Sequence, residues 1–351
     1  MERKEKVIVI LCAIAVIVSA ILHFTGATPV LTFACTGIAL ALLALIVGDA
    51  TEQLGSRLGP GATGILQSSL ASLPELFVAI FALRAGLAHV VQAALVGSIL
   101  ANLLLVFGLA LFLGGLKNGT QTFKSGPPRM IASLMLLAVS ALILPTLTTT
   151  LHTPGESHIN NLDIFVAIVL LVVFASSIYF SLKGDPALIT KESDIGHAEW
   201  SMGLTVGVLA GAGLGAALVS DWFVEALQPS MATLGISETF AGLVIVAIAG
   251  NAIENLIGIQ FAWRNQMDYA VSLILNSSLQ IALGLFPILL ILSFFLGGAI
   301  LTFVLSPILV VSLALAAIVS AFIVFDGESI WVEGLALIGL YLIIAAAFWW
   351  G

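Results

Sequence analysis

Ala249-Gly250-Asn251-Ala252-Ile253-Glu254-Asn255 sets a carboxylate and two amides in the middle of an apolar run that extends from Phe240 to Ala262. An acid at the centre of a membrane-spanning helix costs about 2.5–3.5 kcal/mol on insertion scales, so such a residue faces a polar pathway rather than lipid. Asn251, Glu254 and Asn255 stand at i, i+3 and i+4 and share one helix face. A second acid has a comparable setting. Ser68-Ser69-Leu70-Ala71-Ser72-Leu73-Pro74-Glu75 leads into the apolar stretch Leu76 to Leu83, with Ser68, Ser72 and Glu75 along one face. Sliding the chain on itself by 179 residues superposes Glu75 on Glu254, Gly97 on Asn276 and Ser98 on Ser277, and nearly aligns Gly114-Gly115 with Gly297-Gly298. The pattern reads as an internal duplication.

Composition agrees with a membrane setting. The 351 residues are 60% hydrophobic and only 9% charged, whereas about a quarter of the residues of a soluble domain are charged. The net charge of -8 belongs to acids within spans more than to a solvated tail, and no basic patch points to nucleic acid. Cys12 and Cys35 both lie in apolar runs, which excludes a disulfide framework and a thiolate metal site.

Runs near the ~20 residues a helix needs to cross a bilayer are expected at 7–24, 30–54, 61–84, 88–113, 129–147, 162–182, 201–227, 237–263, 268–294, 300–324 and 330–350. The N-terminal run reads as a retained helix, because no small-residue cleavage site is followed by a soluble domain. With the N-terminus cytoplasmic, Arg3, Lys4, Lys6, Arg57, Lys117, Lys124, Arg129, Lys183, Lys191 and Arg264 all fall inside and only Arg84 falls outside. That bias follows the positive-inside rule and supports about eleven spans with an external C-terminus.

The 179-residue offset pairs the third span with the eighth. The expected fold is an all-α polytopic membrane protein: an N-terminal helix (1–27), a first five-helix repeat (28–182), a cytoplasmic linker (183–200) and a second five-helix repeat (201–351). An odd number of helices per repeat inverts the second copy, the architecture of secondary transporters whose site lies at the repeat interface near the midplane. Gly203, Gly207, Gly211 and Gly215 recur every four residues along the seventh span, a pattern that permits close helix approach or sliding. His152 and His158 lie in a polar external loop and are read as solvated.

Two buried glutamates supply up to four anionic oxygens, and a calcium ion takes about six to eight oxygens at roughly 2.3–2.6 Å. Neutral donors must complete the shell. The candidates are Ser72, Asn251 and Gln280, with Ser69, Ser98, Asn255, Ser277, Ser278 and the Leu70 carbonyl in support; Pro74 either frees that carbonyl, since it lacks the N–H that would otherwise occupy it, or simply kinks the helix. The same carboxylates carry protons, because desolvation favours their neutral form when no cation is bound. Asp49 and Glu52, near the cytoplasmic end of the second span, and Asp221 and Glu225, near the external end of the seventh, are candidate entrance acids or merely solvated ones. No nucleotide loop, H-E-x-x-H or G-x-S-x-G motif is present. The chain is therefore read as a carrier driven by an ion gradient, not an enzyme, and with no cofactor.

At this point the chain resembles the calcium/proton exchangers of the cation/calcium exchanger superfamily over nearly its whole length. Gly250-Asn251-Ala252-Ile253-Glu254 is similar to that family's second signature. Ala50-Thr51-Glu52, Gly97-Ser98 through Asn102-Leu103-Leu104-Leu105-Val106, and Ser277-Ser278-Leu279-Gln280 resemble other family segments. The resemblance implies antiport of calcium, or a related cation, against protons by alternating access. It makes Glu75 and Glu254 the central cation-binding and proton-carrying residues, with Asn251 and Gln280 nearby. In the first half, Ala71-Ser72-Leu73-Pro74-Glu75 departs from the family's Gly-Asn-Ala-x-Glu toward the Ser-x-Pro-Glu of sodium/calcium exchangers. Asn255 stands where many relatives have histidine, and Ser272 where they often have an acid. These departures bear on ion selectivity and proton stoichiometry, and they keep sodium/calcium or sodium/proton exchange as the alternative. A cation channel and a membrane-embedded enzyme are the readings from other classes.

Overall fold

The computed structural model describes residues 3–58, 72–183 and 200–349; the side chains of residues 3–5, 52, 55–58, 181–183, 249 and 251–255 fall outside that description. The chain is nearly all helical. In order come α1 (Arg3–Phe24), α2 (Pro29–Leu58), α3 (Leu73–Arg84), α4 (Ala88–Asn118), α5 (Gly126–Thr150) and α6 (Ile159–Lys183). They are followed by α7 (Met202–Leu234), α8 (238–263), α9 (Met267–Ser293), α10 (Pro307–Ile323) and α11 (Trp331–Trp349). Among the described residues eight of these, α1, α2, α4 to α7, α9 and α11, are long and apolar enough to cross a bilayer, and α10 is a shorter apolar helix. The protein is a multi-pass membrane protein. Its α1 turns Ile10, Ile14, Ile17 and Ile21 outward, an arrangement that only a lipid solvent makes favourable.

The helices form two compact units, each drawing on both halves of the chain. The first joins residues 1–87, 192–236 and 249–253; the second joins 88–191, 237–248 and 254–351. In the first unit α2 and α7 pack lengthwise, with Phe33 stacked on Phe223 at 4.7 Å between ring centroids. His23, near the end of α1, stacks on Trp222 of α7 at 5.4 Å. The glycine stripe of α7 does not behave as expected. Among the described residues a β-carbon at Gly203, Gly207 or Gly211 would meet nothing within 4 Å, and of the four only Gly215 faces a neighbour, Leu43. These glycines are not the close-packed face.

Close packing occurs in the second unit instead. Gly97 of α4 lies against the backbone of Leu243, and Gly242 of α8 against the Val90 carbonyl; Gly108 of α4 and Gly334 of α11 abut each other's backbone. In lipid, where apolar burial between helices gains little, such small-residue crossings let dispersion hold helices together. At the end of α4 that carries Lys117, three connections meet. Gln121–Thr122 (β1) pairs antiparallel with Glu328–Ser329 (β2). Gln121 Nε2 donates to the Ala262 carbonyl (3.0 Å) and Asn265 Oδ1 (2.9 Å), and Lys117 Nζ donates to the Trp263 carbonyl (3.1 Å). These donors satisfy carbonyls that α8 leaves open at its C-terminus, where a cation also suits the helix dipole.

The span expected at 300–324 is helical only from Pro307 to Ile323. Residues 299–306 have no regular structure, although Leu301, Phe303 and Leu305 are buried. Proline at the first helical position sets the start of α10. The backbone before it is satisfied by side chains from other helices, which an apolar run cannot reveal.

Candidate cation-binding site

Glu75 sits in the first turn of α3. Leu73 opens the described helix, the Leu76 N–H donates to the Ser72 carbonyl (2.9 Å), and Pro74 occupies the first turn, where a backbone N–H has no intrahelical partner. Pro74 therefore starts α3 rather than kinking its interior. A helix N-terminus favours a carboxylate. The Glu75 side chain is half-buried and rests on Gly250: a β-carbon there would lie 2.7 Å from Glu75 Cγ and 2.8 Å from Oε1. Glycine at 250 is thus what leaves room for this carboxyl group. Gly250 precedes Asn251 by one residue and Glu254 by four within the continuous helix Ala247–Trp263.

In the second unit, Ser98, Asn102 and Ser277 are all buried. Asn102 Nδ2 donates to Ser277 Oγ (3.0 Å), while Asn102 Oδ1 has no hydrogen-bond partner among the described residues. Asn102 lies in a π-helical segment of α4, Ala101–Val106, and a second such segment, Ile281–Leu285, interrupts α9. The 179-residue shift that superposes Glu75 on Glu254 carries Ala88, the first residue of α4, onto Met267, the first of α9, and Ala101–Val106 onto residues 280–285. A third π segment, Ala241–Val246, precedes the Gly-Asn stretch in α8. Such segments shift the backbone register locally and recur at functional sites.

The other candidates divide. Ser278 Oγ donates to the Ile274 carbonyl (3.2 Å), the back-bonded state expected of an isolated helical serine. Gln280 and Ser72 are half-buried, as are Asp49 and Asp221; Glu225 is 61% exposed and lies 3.6 Å from His23 Nδ1. His152 pairs with Glu156 at 3.1 Å in an exposed loop. Ser69, Leu70 and nearly all of the 183–200 linker lie outside the described residues, as do the side chains of Glu52, Asn251, Glu254 and Asn255. Asn102 was not among the expected site residues, although it stands in the sequence as an amide within an apolar run, four residues after Ser98.

The chemistry on hand is a half-buried carboxylate with amide and hydroxyl oxygens in both halves of the chain, a hard donor set. A family model described as "Sodium/calcium exchanger protein" matches residues 28–183 and 204–350. The Ca(2+)/H(+) antiporter of Synechocystis sp. is 34% identical over 99% of this chain and 98% of its own length. The Ca(2+)/H(+) antiporter ChaA of Bacillus subtilis is 33% identical over 95% of each chain. The crystal structure of the Ca2+/H+ antiporter protein YfkE superposes with a TM-score of 0.83 at 31% identity, covering 99% of this chain and all of that one. With its half-buried acid seated on the glycine of the Gly-Asn-Ala-x-Glu stretch and both halves matching one family model, the chain belongs to the sodium/calcium exchanger protein family.

Proposed function

We infer that the protein is a Ca2+/H+ antiporter, a secondary carrier that exchanges calcium for protons by alternating access. The observation that carries this reading is the Glu75 carboxyl group resting on Gly250, at the head of the stretch that bears Glu254. The similarity to Ca(2+)/H(+) antiporters over nearly full length supports the choice of ions. Glu75 and Glu254 bind the divalent ion jointly when both are ionised, and Asn251, Ser72, Gln280, Ser98 and Ser277 supply neutral oxygens toward the six to eight that calcium takes. Protonation of the carboxylates removes their charge and releases the ion.

Eleven spans, arranged as one helix and two inverted five-helix repeats with the N-terminus cytoplasmic, complete the reading. The two stretches matched by the family model support it, and so does the equivalence of α4 with α9 under the 179-residue shift. The α4–α5, α8–α9 and α10–α11 connections, all expected on the cytoplasmic side, meet at one end of the second unit. Purified protein in liposomes with an imposed pH gradient tests the function: calcium should move against the proton flux. Calcium movement driven by sodium and indifferent to the pH gradient would overturn it in favour of sodium/calcium exchange, and conductance far above carrier turnover would make the protein a channel.

A further inference from the structure

Asp163, in the second turn of α6, is 1% exposed. Its Oδ2 accepts the Phe303 N–H (3.3 Å), and its Oδ1 has no hydrogen-bond partner among the described residues. The group belongs to a clamp around the irregular segment before α10. Thr146 Oγ1 accepts the Leu305 N–H (2.8 Å) and donates to the Phe303 carbonyl (3.1 Å). Gln92 Nε2 of α4 donates to the Thr302 and Val304 carbonyls (2.9 and 3.2 Å), and Ser293 Oγ, at the end of α9, accepts the Leu301 N–H (3.0 Å). Irregular backbone at membrane depth survives only when protein groups satisfy it in this way. Within the clamp Thr146, Gln92 and Ser293 are neutral, and Asp163 alone can change charge.

Among the described residues no cation is paired with that carboxyl group. The segment 294–306 and α9 from Ile281 to Ser293 carry no titratable residue, and α5 has only Arg129, at its other end. On α4 the exposed His89 bonds to Gln92 Oε1 (3.3 Å). In the α5–α6 connection His152 is paired with Glu156, and His158 with Ser157 at 2.8 Å; all are exposed. An ionised carboxylate sealed from water with one backbone donor lacks the several hydrogen bonds or counter-charge that make a buried anion tolerable. A neutral carboxyl keeps the Phe303 bond through Oδ2 and carries its hydrogen on the oxygen that has no donor.

We propose that Asp163 Oδ1 is a proton-binding site, separate from Glu75 and Glu254, that holds the 299–306 segment in its clamp when protonated and loosens it on ionisation. The step is a proton transfer only: an O–H bond forms at Oδ1 with a proton from the aqueous phase on the side of the α5–α6 connection, and breaks when the segment opens to that phase. Transport then acquires a dependence on the pH of that side beyond the competition at the glutamates.

The test is infrared difference spectroscopy on membranes containing the Glu75→Gln/Glu254→Gln variant, in water and in D2O. A band of a protonated, deuterium-sensitive carboxyl group should remain, and Asp163→Asn on the same background should abolish it. Where Asp163→Asn does not fold, Asp163→Glu should move the band instead. In the parent background, Asp163→Asn should retain calcium flux but flatten its dependence on pH at that side by about one proton's slope. Absence of the band in the double variant, its persistence unchanged after substitution of Asp163, or an unaltered pH profile would overturn the proposal. The infrared result stands whichever ions the protein carries, so it fails or succeeds independently of the antiport reading.

Discussion

Gly250 tests the arrangement around Glu75 without altering any charge. In Gly250→Ala the new methyl would lie 2.7–2.8 Å from the Glu75 side chain, and because that contact is the end of a flexible group, the carboxyl swings away while the helix survives. Apparent calcium affinity should fall roughly tenfold or more, about 1.4 kcal/mol, with little change in melting temperature; unchanged affinity by titration calorimetry would mean that Glu75 does not bind the ion from this position. Glu75→Gln and Glu254→Gln are harsher. Each amide keeps the shape yet supplies no anionic charge and carries no proton, so exchange in liposomes should be abolished while folding persists. Near-normal flux in either variant would remove that residue from the shared site.

Helices in this protein are held by close backbone approach, and glycines of equal appearance in the sequence differ accordingly. A β-carbon at Gly334 would run into the Phe112 N–H and the Gly108 carbonyl, both backbone atoms that cannot step aside. Gly334→Ala should cost about 1–3 kcal/mol, the usual penalty of overpacking, and separate α11 from α4. At Gly207 no described residue lies within 4 Å of the added carbon, so Gly207→Ala should stabilise by about 0.5–1 kcal/mol through the helix propensity of alanine. Thermal melting in detergent decides both, and equal effects would refute the contrast.

At the scale of the whole molecule, the proposed antiport makes proton and calcium compete for the same oxygens. Lowering the pH protonates the glutamates and removes the anionic ligands, so apparent calcium affinity should fall as pH falls. Where both carboxyl groups must lose a proton, log affinity should rise by up to about two per pH unit and flatten once the pair is ionised; the midpoints belong to the pair. A slope of one would mean that one glutamate is already ionised in the empty site. Fluorescence binding across pH 5 to 9, repeated with sodium, measures it. An affinity independent of pH and displaced by sodium would contradict proton exchange.

Membrane residence and the family resemblance were legible in the chain alone, because the cost of burying charge in lipid leaves few polar residues, among which Glu75 and Glu254 stand out at one spacing. Hydropathy reports transfer from water averaged over a window, so it read residues 300–306 as helix when hydrogen bonds from Gln92, Thr146, Asp163 and Ser293 hold them irregular. It also could not say which face of a helix meets protein, since a lipid tail is as apolar as leucine. The close-packing role therefore went to Gly203, Gly207 and Gly211, whereas the structure gives it to Gly97, Gly242, Gly108 and Gly334. Asp163 passed unnoticed at the edge of an apolar run, and the need for glycine at 250 is visible only once Glu75, 175 residues earlier in the chain, is seen lying on it. The acids are determined by local chemistry; their partners are determined by contacts between distant segments, which only the tertiary structure brings together.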